Sequence, residues 1–96
     1  SVKLPPRVEM TITRADFRRL LPAAVNHVSY KEDDTGFAHR EGGRGWRIGF
    51  AAMPQLRLGL IRLERHRVDF EFTGYSALEI EEFMARFERY FRRGGG

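Results

Sequence analysis

The sequence predicts an α+β domain, a curved antiparallel sheet of five to six strands with two helices on one face, in the order β-α-β-β-β-β(-β)-α. Three observations lead there. Apolar and polar residues alternate at period two through most of the middle of the chain. Two flanking segments switch to helical period, each opened by a capping signature. Ninety-six residues with 42% hydrophobic and 12% aromatic content suit one packed core and no second one.

The elements follow in order. Residues 1–7, with Pro5-Pro6, read as an extended lead-in to a single domain over 8–93. Val8, Met10 and Ile12 alternate with Glu9 and Thr11, the period of a half-buried strand. Thr13 is a helix N-cap with Asp16 three residues on, and Phe17, Leu20, Leu21, Ala24 and Val25 share a helical face. Pro22 interrupts that face, so the helix is expected to stop or kink near Leu21. Val28 and Tyr30 then alternate into a hairpin turn at Asp33-Asp34-Thr35-Gly36, and Phe37 to Glu41 returns. After Gly42-Gly43-Arg44-Gly45, Trp46, Ile48 and Phe50 face the core, and Pro54 marks a turn. Leu56 to Leu63 and Arg67 to Thr73 are expected to pair around a turn at Glu64-Arg65-His66. Val68, Phe70 and Phe72 point one way, Asp69 and Glu71 the other.

The final helix has the clearest signature. Ser76 and Glu79 form a capping box ahead of Ile80, Phe83, Met84, Phe87, Tyr90 and Phe91, which span about 120° of a helix. Acidic residues open it and Arg89, Arg92 and Arg93 close it, the order that suits the macrodipole. Gly94 is expected to end it, leaving residues 94–96 as a flexible glycine tail. This element order is similar to one repeat of a TATA-box-binding-protein-like fold and, more loosely, to helix-grip folds. No motif accompanies the likeness, so it carries no functional residue across.

Composition excludes several classes of function. The chain has no cysteine, which removes disulfides, thiolate metal sites and thiol catalysis. No apolar run is long enough to span a membrane and no signal-peptide pattern is present, so a cytoplasmic location is expected. Seventeen Lys and Arg against thirteen Asp and Glu give a net charge of +4. Only Lys3 and Lys31 are lysines. The arginines suit bidentate contacts to phosphate or carboxylate, and equally a codon bias toward Arg, Ala and Gly.

Candidate chemistry is sparse. His39 and Glu41 have strand spacing that puts both on one face, with Asp33 and Asp34 near, yet no H-x-x-x-H, D-x-D or nucleophile-elbow signature exists. No catalytic residue, metal ligand, cofactor or small-molecule substrate is therefore assigned, and the protein is read as no enzyme. His66 reads as a turn residue. Gly42-Gly43-Arg44-Gly45 joins two strands, whereas a phosphate-cradling loop runs from a strand into a helix. The terminal glycines resemble the tails of ubiquitin-like modifiers and sulfur carriers, but the element order does not.

The uncovered sheet face is the strongest lead. Leu56, Leu58 and Leu60 fall on one parity, Ile61 and Leu63 on the other. A bulge at Gly59 or Leu60 would merge them onto one face. Without it, the outer face carries an apolar patch continuous with Ala51, Gly49 and Ala38, as an interface would. The expected function is binding, to a protein partner or to itself as a homodimer, through Arg47, Arg57, Ile61 and Leu63. The alternative is a nucleic-acid module that contacts phosphates through Arg40, Arg47, Arg57 and Arg67, although no outward strand aromatic is available to stack on bases.

Overall fold

A computed structural model describes residues 7–95. Its alternating segments pair into one antiparallel sheet of five strands in the order β1-β5-β4-β3-β2. These are β1 (Arg7–Met10), β2 (Lys31–Asp33), β3 (Gly36–Glu41), β4 (Arg44–Leu58) and β5 (Ile61–Thr73), with α1 (Arg14–Ala24) after β1 and α2 (Ala77–Gly95) last. Residues 1–6 of the expected lead-in lie outside the described residues, while Arg7 already pairs with Asp69.

The pleat explains which face is covered. Phe37 on β3, Trp46, Ile48 and Phe50 on β4, and Val68 and Phe70 on β5 all bury on one side of the sheet. Both helices pack there, because the same cluster includes Phe17 and Leu21 of α1 and Phe87 and Phe91 of α2. Phe17 is the hub. Its ring lies 4.5 Å from that of Phe50, 4.8 Å from Phe91 and 5.3 Å from Phe37, centroid to centroid. Removing a fully buried ring of this kind costs roughly 3–5 kcal/mol, a large share of a small domain's stability.

The caps form as the sequence demands. The Thr13 hydroxyl accepts the Asp16 N–H at 3.1 Å. Ser76 and Glu79 bond reciprocally, N–H to carboxylate at 2.8 Å and N–H to hydroxyl at 3.1 Å. Two expectations of where a helix stops are corrected, that of a stop near Leu21 and that of a stop at Gly94. α1 runs through Pro22 to Ala24, because burial of Leu21, Ala24 and Val25 outweighs the single backbone bond that proline removes. Asn26 and His27 then turn the chain with φ of 58° and 60°, a conformation that Asn and His tolerate better than most residues. The Arg86 guanidinium of α2 donates to the Ala23 carbonyl at 3.0 Å, which also accepts the Asn26 N–H at 3.2 Å, and so ties α2 to the C-terminal end of α1. At the other terminus α2 stays helical through Gly95, so Gly94 does not end it. Glycine's helix penalty of about 1 kcal/mol does not forbid one more turn. Gly96 is outside the described residues.

A second correction concerns the strands. No turn occurs at Pro54 or at Glu64-Arg65-His66. β4 and β5 are 15 and 13 residues long and form one continuous hairpin closed by the two residues Gly59-Leu60, with Leu58 opposite Ile61. Gly59 has φ of 63°, as a type II′ turn needs at its first central position. His66 is thus a strand residue. It is 8% exposed, its ring stacks 4.1 Å from that of Phe50, and Nδ1 lies 2.7 Å from the Ile12 carbonyl.

One ionic clasp holds the short edge strand. Glu32 accepts from Arg18 Nε and Nη2 at 2.9 and 2.7 Å, and from Arg14 Nε at 3.0 Å. The Arg18 hydrogen bonds, with Arg14 adding to them against a smaller opposing effect of burial, hold the Glu32 carboxyl below the usual glutamate range. A carboxylate lowered in the folded state contributes stability above its unfolded pKa and loses it as pH falls through the folded value. Thermal melts should therefore show the midpoint falling from about pH 5 to pH 3, with a shallower fall in Glu32→Gln. An identical acid limb in the variant would show that the clasp does not couple to folding.

Candidate functional site

The long hairpin outruns its neighbours. β3 pairs with β4 only as far as Gly49, and β1 pairs with β5 only over 66–69. From Met53 to Arg65 the chain is therefore a two-stranded ribbon, an arm that helps stretch the molecule to 47 Å against 28 and 23 Å in the other directions. Two strands alone are marginally stable in water, since neither face is covered.

The arm's faces are set by a single irregularity. Met53 opposes Arg65 and Leu56 opposes Leu63, so Pro54 and Gln55 together face Glu64. This is a β-bulge, and it absorbs one spare residue on β4. Proline fits there because it lacks the N–H that a regular ladder position would use. The bulge switches parity along β4. Before it, Ala51 and Met53 lie on the uncovered face. After it, Leu56 and Leu58 join that face, opposite Leu63 and Ile61. The four aliphatics share one side, but by a different device than a bulge at Gly59 or Leu60. Leu60 stands at the tip of the turn, fully exposed, with Leu58 and Ile61 at 57% and 59% exposure.

The same bulge corrects the placement of Arg57. It pairs with Arg62 on the opposite side of the ribbon from Ile61 and Leu63, so it does not share their surface. Like charges directly across an antiparallel pair repel. Arg47 is on the uncovered face, where Nη2 donates to the Thr35 hydroxyl and Nη1 lies 3.9 Å from Asp33. Asp33 also caps its own turn, accepting from the Thr35 hydroxyl and N–H and from the Gly36 N–H at 2.8 to 3.0 Å. Those bonds, the Thr35 hydroxyl first, hold its carboxyl below the ordinary aspartate range.

Arg40 and Arg67 also take the uncovered face, opposite Gly45 and Ala51. At about 3.3 Å per residue, the Gly45 level where Arg40 sits and Arg57 are roughly 40 Å apart along β4. Arg40, Arg47, Arg57 and Arg67 thus form no single patch. The acids between them dilute the charge further, with Asp69 bonded to Arg7 at 2.8 Å and Glu71 paired across from Arg47.

The histidine–carboxylate pair is held structurally. His39 Nδ1 lies 2.7 Å from the Ser29 carbonyl and its ring packs beside Trp46, while Nε2 is 3.8 Å from an exposed Glu41 oxygen. Among the described residues, no group of three His, Asp or Glu side chains converges as metal ligands. Gly42-Gly43 is a two-residue hairpin turn between Glu41 and Arg44, with no helix N-terminus behind it. The best-defined surface is therefore the arm's aliphatic face, continuous with Met53, Ala51 and Gly49.

The unbroken alternation of β5 sets the pairing, and the spare residue on β4 brings Leu56 and Leu58 to the face that this pairing exposes. Deleting Pro54 should leave Leu56 opposite Leu63 and straighten the ribbon, with cross-strand nuclear Overhauser contacts between those two side chains retained. A register shift that pairs Leu56 with Arg62 instead would show that the bulge itself fixes the register.

Comparison with known proteins adds no relative from which a role could be carried over: no family model, no curated protein and no solved structure matches this chain.

Proposed function

We propose that this domain is a binding module that associates with protein, first of all with a second copy of itself, through the apolar face of its β4–β5 arm. The observation that supports this is the exposure of Leu58, Leu60 and Ile61 on a ribbon that no other element covers. Soluble monomers seldom present a contiguous apolar patch beyond a few hundred Å². The charged side of the same ribbon, Arg57 and Arg62, is the side that an occupied arm would leave in water. Catalysis has no comparable support, since each histidine on the sheet has a hydrogen-bonding role in the fold. The chain carries no cysteine, which fits a reducing, cytoplasmic setting, and no helix among the described residues is long and apolar enough to cross a membrane.

A nucleic-acid reading draws on one specific feature. Arg57 and Arg62 face each other without an ion-pair partner among the described residues, and a two-stranded ribbon fits a major groove. The scatter of the remaining arginines weighs against it.

Light scattering over the micromolar range separates the two. The wild type should associate, and Leu58→Asp with Ile61→Asp should be monomeric with an unchanged far-UV spectrum. Oligonucleotide affinity should vary only weakly with salt. A monomeric wild type with a log–log salt slope steeper than about −5, the signature of six or more neutralised phosphates, would replace this reading with the nucleic-acid one.

A further inference from the structure

We infer that the tip of the β4–β5 arm docks on an anionic phospholipid surface: Leu58, Leu60 and Ile61 enter the headgroup boundary, and Arg57 and Arg62 hold the lipid phosphates behind them. This goes beyond self-association and does not depend on it. Leu60 prompts it, as the second residue of a two-residue turn and fully exposed. That position ordinarily takes Asn, Asp or Ser, so the turn itself asks for no aliphatic there. Leu58 and Ile61 flank it, both more than half exposed, and the three project together from the end of the arm. The charge around them has one sign. Between Met53 and Arg65 stand Arg57, Arg62 and Arg65 against Glu64 alone, so the arm carries +2 of the chain's net +4. Arg65 is held by Glu9 at 3.0 Å. Arg57 and Arg62 lie directly opposite each other with no ion-pair partner among the described residues. Like charges so placed destabilise a ribbon, and a layer of phosphates would relieve them.

The spacing suits shallow insertion. Arg62 stands two residues behind Leu60, roughly 7 Å along the ribbon, which matches the depth of about 5–10 Å to which interfacial segments sink. Arginine can keep its stem against apolar surface while its guanidinium reaches the headgroups. Deeper entry is barred by the ribbon's own backbone. β3 leaves β4 at Gly49 and β1 leaves β5 at His66, so the outer edges carry N–H and C=O groups that hydrocarbon cannot satisfy. A second copy of the chain would cover the arm's flank, at Leu56 and Leu63. The tip alone is too small for that, since a standard protein interface buries about 800 Å² on each partner. A fluid surface instead closes around a narrow convex tip. The negative potential of an anionic leaflet also attracts basic segments lying close to it.

Vesicles of phosphatidylcholine and phosphatidylglycerol in equal parts should sediment the protein, and pure phosphatidylcholine vesicles should leave it in solution. Leu60→Asp should lower affinity for the mixed vesicles by at least about tenfold. Arg57→Gln with Arg62→Gln should lower it roughly twenty-fivefold, about fivefold for each arginine. Both variants should melt as the wild type does. Because the chain has no cysteine, a polarity-sensitive dye can be placed on Leu60→Cys, where its emission should shift to the blue on mixed vesicles. The same dye on Glu41→Cys, opposite Arg44 at the body end of β4, should not shift. Equal binding to both vesicle types, or a dye at position 60 that stays in water, overturns the inference. So does binding that needs the two arginines but is indifferent to Leu60→Asp, which would mark bare phosphate recognition instead. A protein that sediments with mixed vesicles yet is monomeric in light scattering keeps this inference and loses self-association. One that associates with itself but never sediments does the reverse.

Discussion

The two-against-one step at Pro54-Gln55 is the constraint on which the exposed surface depends. Upstream of it, β4 is an ordinary central strand with Trp46, Ile48 and Phe50 beneath the helices. If that alternation continued unbroken, Leu56 and Leu58 would turn to the helix side, and Arg57 would join the other face. The spare residue prevents this. It lets β4 match the unbroken alternation of β5, and four aliphatics emerge on the side that no helix reaches. A local irregularity costing one ladder position therefore decides the chemistry of a whole surface.

The body of the domain is built on the opposite principle. Phe17 touches rings from two strands and from α2, and Arg86 ties α2 back to the C-terminal end of α1. These contacts join elements distant in sequence and leave no buried side-chain polar atom without a partner among the described residues. The same care is absent from the arm, where Leu60 has no neighbour at all. Core and arm are thus governed by different demands, one closed on itself and the other open.

Much of the body is legible in the sequence because its signals are local. Thr13 with Asp16 and Ser76 with Glu79 announce helices, and Val68, Phe70 and Phe72 announce a buried strand face. Pro22 misleads because its cost is local while the compensation, burial of Leu21 and Ala24, is tertiary. Pro54 misleads for a related reason: a proline within a strand is tolerated where no third strand needs its N–H. Gly59-Leu60 lacks the Asn-Gly or Asp-Gly signature of a tight hairpin, so polar Glu64-Arg65-His66 is the more persuasive turn. Yet His66 keeps the parity of Val68 and Phe70, and that alternation was the signal that it belongs to the strand. The placement of Arg57 fails with the same segment, since one miscounted residue exchanges every face beyond it.

One of the two-residue connections in the sheet joins its two longest strands. Closing a loop of two residues forfeits little chain entropy, whereas bringing Arg7 to Asp69 must draw together segments 62 residues apart. The ribbon can therefore zip outward from Gly59-Leu60 early, before the edges arrive. The segment left most accessible in the finished molecule is, on this account, also the one that demands least from the rest of the chain in order to form.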